Sequence, residues 1–196
     1  MALSAKTRHQ AAVALVALLA GCSDNPPVLD WQQNSFDALQ AFRKLYLSGD
    51  TKGAEVEFNH ARAELTATGR AELVARAELI RCAAQVASVV FERCAAFEAL
   101  RADAGADERA YADYLEGRVP RAASGEPFSQ LVGYGVQLRT AAITPQGIAS
   151  AVDISSSQGW RRPLLAWLGV QLKRAEAAGD SETVARLKRR IELVSG

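Results

Sequence analysis

Histidine is scarce in this chain, with only His9 and His60 among 196 residues. A Ser-His-Asp arrangement needs a histidine beside a nucleophile and an acid, and a zinc site needs several nitrogen or sulfur ligands. An isolated His60 supplies neither. The three cysteines form no Cys-x-x-Cys pair, which argues against a redox-active dithiol. Aromatic residues make up only 7% of the chain, runs of β-branched residues are rare, and no segment alternates like a strand. The charge is balanced, with 23 basic against 22 acidic residues, so bulk charge gives no ground for nucleic-acid binding. What is abundant is alanine, leucine, arginine and glutamate, the composition of helices.

The N-terminus carries the most specific pattern. Lys6 and Arg8 are basic, and no acidic residue precedes Asp24. Residues 11–20 are apolar but too few to cross a bilayer as a helix. They run into Leu19-Ala20-Gly21-Cys22, which resembles the lipobox of bacterial lipoproteins. That resemblance implies removal of a signal peptide over residues 1–21 and lipidation of Cys22 through a thioether-linked diacylglycerol. The new amine is then usually acylated with a fatty acid such as palmitate. Several acyl chains give stable anchoring where one gives only marginal binding. Ser23 after the cysteine implies, by the same resemblance, the periplasmic face of the outer membrane. The polar, proline-bearing stretch that follows cannot continue a helix, and residues 22–33 read as a tether.

Removing that leader takes Lys6 and Arg8 with it and leaves 21 basic against 22 acidic residues. Residues 34–196 suit one domain. Two further cysteines, Cys82 and Cys94, would then lie in an oxidising compartment, where an even number suggests a bridge. On one straight helix their Cα atoms would stand about 18 Å apart, whereas a disulfide needs less than about 7 Å. A bridge therefore requires the chain to turn back between them. Residues 86–90, Val-Ala-Ser-Val-Val, form the weakest helical stretch nearby. They mark the expected turn of a helical hairpin pinned by Cys82–Cys94. The alternative is a pair of buried free thiols.

Helical spacing of apolar residues recurs to the C-terminus. A helix over 35–48 would carry Phe36, Leu39, Phe42, Leu45 and Tyr46 and stop at Gly49. The next, capped by Asp50 or Thr51, would carry Ala54, Phe58, Ala61 and Leu65. A third runs from about Arg70 toward Cys82, a fourth over 91–100, and a fifth from Asp107 to Gly117. After a proline-bearing loop over 118–127, a helix over 128–142 would be weakened by Gly133 and Gly135. Thr144-Pro145 starts another helix, and residues 155–159 form a loop. Pro163 starts a long helix that Gly179-Asp180 breaks, and a last helix carries Val184, Leu187, Ile191 and Val194. The expected fold is all-α, built of antiparallel helical hairpins as a repeat-like array or an irregular bundle. Gly49-Asp50 with Ala54, Phe58 and Ala61 resembles the turn and second helix of a tetratricopeptide repeat. The resemblance implies repeat-like packing and no ligand.

Candidate sites are few. Asp103, Asp107 and Glu108 cluster at a helix start, where they complement the helix dipole. Gly133-Tyr134-Gly135 lacks the strand–helix setting of a phosphate loop. The stronger candidate is a basic contact surface near the C-terminus, comprising Arg161, Arg162, Lys173, Arg174, Lys188, Arg189 and Arg190, with Arg186 among them. The sequence therefore points to a lipid-anchored envelope protein that acts as scaffold, adaptor or assembly factor through protein partners. No enzyme activity, cofactor or metal is expected. The alternative is a non-catalytic binding module for a small molecule, lipid or cell-wall fragment held near Tyr111, Tyr114 and Tyr134.

Overall fold

The computed structural model describes residues 28–196. The leader, Cys22 and the first part of the tether lie outside the described residues. Nine helices and no strands are found among the described residues. They are α1 (Asp30–Ser48), α2 (Thr51–Ala67), α3 (Ala71–Ala87), α4 (Ala95–Glu98), α5 (Ala106–Leu115), α6 (Pro127–Arg139), α7 (Pro145–Ser157), α8 (Arg161–Ala177) and α9 (Ser181–Ser195). The chain is all-α, as its composition predicts. None of these helices is long and apolar enough to cross a membrane.

The two Gly-Asp turns use one device twice. Gly49 and Gly179 take left-handed backbone angles, φ 100° and 70°, which glycine adopts without a Cβ clash. The next N–H then reaches back to the helix end, Asp50 to the Leu45 carbonyl and Asp180 to that of Ala175. Each aspartate side chain then caps the following helix by accepting from the Gly53 or the Thr183 N–H. The α1–α2 hairpin closes on Ala54, Phe58 and Ala61, all buried. Phe42 meets Phe58 with ring centroids 5.1 Å apart, a pairing worth about 0.5–1.5 kcal/mol beyond area burial.

Helix α3 is the centre of the fold. It buries residues around its whole circumference, as expected of an enclosed helix, and packs against α1, α2, α4, α5 and α6. Its alanines let those neighbours come close. Its buried Glu78 accepts from Arg62 Nε at 3.1 Å. The second half continues through α6, α7 and α8, and α8 returns to pack on α1. The array therefore closes on itself. Trp167 of α8 is fully buried and donates its indole N–H to the Ala87 carbonyl at 3.1 Å.

Several expectations need correction. Helix α1 begins at Asp30, so the last residues of the expected tether are helical. Phe36 is 57% exposed instead of lying in the buried stripe, which is Ser35, Ala38, Phe42 and Leu47. Helix α3 continues through Val86, because tertiary burial there outweighs weak helix propensity. The chain does turn after it, with Val89 at φ 61°. The return arm is not helical until the single turn of α4, so Cys94 lies in irregular chain bonded back to α3. Cys82 and Cys94 are disulfide-bonded with Cα atoms 5.9 Å apart. Helix α7 runs on to Ser157, where a loop from 155 was expected, and α8 starts at Arg161 ahead of Pro163.

Gly135 has a role that helix propensity hides. A Cβ there would lie 2.3 Å from the Val86 carbonyl oxygen. The missing side chain is what lets α6 seat against the end of α3.

Candidate functional site

An open groove of about 520 Å³ lies between α7, α8 and α9. Its floor is apolar, formed by Ile148 of α7, Ala175 of α8 and Leu187 of α9. The arginines Arg174, Arg186 and Arg190 stand on its walls. Helical spacing explains the set. Residues 183, 186, 187 and 190 share one flank of α9, as 171, 174 and 175 share one flank of α8. The two flanks face each other because the Gly179-Asp180 turn folds α9 back along α8.

The polar partners of these arginines are weak ones. Arg186 reaches the Thr183 hydroxyl at 3.1 Å and Arg190 the Ser156 hydroxyl at 3.4 Å. None of the three forms an ion pair with a carboxylate among the described residues. Asp180 closes one end of the groove. Its carboxylate is occupied as the cap of α9, and the Thr183 N–H holds it below the usual carboxylate range. The groove thus combines clustered cationic heads with an apolar floor, which suits a ligand that is both acidic and apolar.

The basic surface expected from sequence is not one surface. Arg161 donates to the Ser195 carbonyl and ties the start of α8 to the end of α9. Arg162 is spent inside the fold, donating to the Tyr46 carbonyl at 2.6 Å and the Thr51 hydroxyl at 2.7 Å. Lys188 faces away from the groove, 3.7 Å from Glu176. Lys173 and Arg189 are exposed but do not line the groove. Arg174 and Arg190 do line it, together with Arg186. The floor residue Ile148 comes from a different helix, and no signal in the basic segment pointed to it.

The remaining candidates do not assemble a second site. His60 is exposed, and its Nε2 lies 3.6 Å from Glu64. Glu108 accepts from Arg76 at 2.6 Å, which holds its carboxyl below the ordinary range and ill suited to donate a proton. Asp103 and Asp107 are exposed. Tyr111 and Tyr114 pack together at 5.8 Å, and burial pushes Tyr111 up to about 12. Tyr134 lies instead beside Gly147 of α7, so the three tyrosines do not line one pocket. No group of three histidine, cysteine, aspartate or glutamate side chains is placed to hold a metal among the described residues.

Compared with protein-family models, with curated proteins and with solved structures, the chain matches none.

Proposed function

We propose that this protein is a non-catalytic adaptor or scaffold of the bacterial envelope. It is anchored through lipid on Cys22 at the periplasmic face of the outer membrane, and docks an acidic, partly apolar protein segment in the α7–α9 groove. One observation carries the reading: the groove gathers three arginines that form no ion pair among the described residues, over an apolar floor. Charge complementarity of this kind steers encounter and selects partners, and apolar contact supplies the binding energy. The disulfide supports an oxidising compartment, and the Leu19-Ala20-Gly21-Cys22 pattern supports the anchor.

A second reading is a binding module for a small anionic amphiphile, lipid or cell-wall fragment. The groove volume of about 520 Å³ favours it, being within the range of small-molecule sites.

The test is photo-crosslinking in intact cells from a reactive residue replacing Gln171 on the groove wall. A discrete protein adduct is expected, lost when Arg174 and Arg186 are changed to Glu. An absence of protein adducts, with radiolabelled lipid or wall fragments captured in their place, would support the second reading. The anchor is tested separately. Cys22→Ala is expected to leave the chain unlipidated and free of membranes, and retention with unchanged mass would refute it.

A further inference from the structure

We infer that the groove's occupant is a second copy of this chain, which presents the N-terminal end of its α1. This inference rests on the reading of the groove as a protein-docking surface. The start of α1 carries the chemistry the groove lacks. Leu29 and Phe36 stand seven residues apart, as do Asp30 and Asp37, a separation that returns each pair to one face of a helix. The helix rise sets the two carboxylates about 10 Å apart. Leu29 is 55% and Phe36 57% exposed. Neither aspartate pairs with a cation among the described residues, and Asp37 only accepts from Gln33 at 2.8 Å. On the other surface, Leu193 of α9 is 82% exposed. It lies one turn beyond Arg190 and next to the groove flank of α9.

Exposed apolar side chains are concentrated on these two surfaces. Of the six large ones exposed among the described residues, Val28, Leu29, Phe36 and Leu193 belong to them. Only Val56 and Val119 lie elsewhere. One surface is acidic and apolar, the other basic and apolar, and among the described residues neither the two aspartates nor the groove arginines form an ion pair. The two surfaces are different, so the contact between copies is heterologous. If both copies are anchored in one membrane, confinement raises their effective concentration and makes a modest interface sufficient.

The test is a pairwise disulfide crosslink between two differently tagged full-length copies in intact cells. One carries Phe36→Cys and the other Leu193→Cys. A mixed dimer is expected on non-reducing gels, well above the level given by Val56→Cys paired with Leu193→Cys. Changing Asp30 and Asp37 to Lys, or Arg186 and Arg190 to Glu, is expected to lower the yield about tenfold, equivalent to about 1.4 kcal/mol. Combining the two reversals is expected to restore it. The milder Arg186→Gln with Arg190→Gln keeps the test open if a reversal harms folding. A yield no greater than that of the Val56 pair, or one insensitive to every charge change, overturns the inference. If that happens while the Gln171 probe still captures a different protein, docking in the groove stands and only the self-contact fails. If neither probe gives a protein adduct, both fail.

Discussion

The guanidinium of Arg162, at the start of α8, donates to the carbonyl oxygen of Tyr46 at 2.6 Å and stacks over the Tyr46 ring at 4.2 Å. The same side chain reaches the Thr51 hydroxyl at 2.7 Å. One residue therefore satisfies the end of α1, contacts the start of α2 and joins both to the second half of the chain. A hydrogen bond from a charged donor contributes about 1.5–3 kcal/mol, and the stacking about 0.5–1 kcal/mol. Arg162→Ala is expected to cost about 2 kcal/mol in urea unfolding, without changing what the groove captures. Arg162→Lys is expected to recover only part of this, because an ammonium cannot make the forked contact and stack as well. Unchanged stability in the alanine variant would return Arg162 to the surface role its sequence position suggested.

The Cys82–Cys94 bridge closes a short loop whose far arm is irregular, non-helical chain. A cross-link over a loop of this size stabilises by about 3 kcal/mol in the chain-entropy account. Replacing both cysteines by alanine is expected to lower stability by about 2–3 kcal/mol and to increase proteolysis within residues 88–94. Intact mass after alkylation, with and without reductant, is expected to show both thiols protected until reduced. Alkylation of both in the unreduced native protein would remove the bridge from the account.

Gly133 and Gly135 look alike in the sequence and differ in the fold. A Cβ on Gly135 would strike the Val86 carbonyl oxygen at 2.3 Å, whereas one on Gly133 meets its nearest atoms at 3.4 Å. Gly135→Ala is expected to destabilise by about 1–3 kcal/mol, as overpacking against backbone does. Gly133→Ala is expected to be neutral, or stabilising by up to about 1 kcal/mol through helix propensity. Thermal unfolding of the two variants side by side decides the matter. Equal effects would mean that α6 does not depend on that close approach.

Local rules made much of this fold legible. The Gly49-Asp50 and Gly179-Asp180 turns, the Thr144-Pro145 start and the buried Ala54–Phe58–Ala61 stripe are short-range features, and short-range chemistry fixes them. The cysteine spacing demanded a turn, and the chain turns. The non-helical return arm was not legible, because the bridge at Cys94 and the packing of Phe91 on the core hold it rather than its own propensity. Phe36 was misplaced for a related reason: α1 buries small Ser35 and Ala38 against its neighbours, and hydrophobic spacing alone does not show which stripe those neighbours will cover. The basic segment was visible as a run of charge. Its division into the fastening Arg161 and Arg162, the outward Lys173, Lys188 and Arg189, and the groove-lining Arg174 and Arg190 depends on which helix lies opposite. That information is tertiary.

Acid is expected to weaken this fold through a small set of arginine-held carboxylates. Asp113 accepts from Arg101 at 2.5 Å and from Arg118 at 2.8 Å. The hydrogen bond from Arg101, followed by that from Arg118, holds its carboxyl below the ordinary value of 3.8. Glu108 beside Arg76 and Glu72 beside Arg70 are lowered from 4.5 in the same way. Their folded values lie below the unfolded ones, so the native state binds fewer protons than the unfolded chain. The resulting stabilisation is fully present above the unfolded values and is lost as pH falls through the folded ones. These groups lie at the surface, where solvent and salt screen them, so the effect at neutral pH is small. Urea midpoints are expected to be flat from about pH 7 to about pH 5 and to drop below about pH 4. Asp113→Asn is expected to make that acid drop shallower, with little change at neutrality, and added salt to blunt the difference between variant and parent. An acid limb of unchanged steepness in the asparagine variant would show that Asp113 titrates alike in the folded and unfolded chains, and that its two arginines hold only geometry.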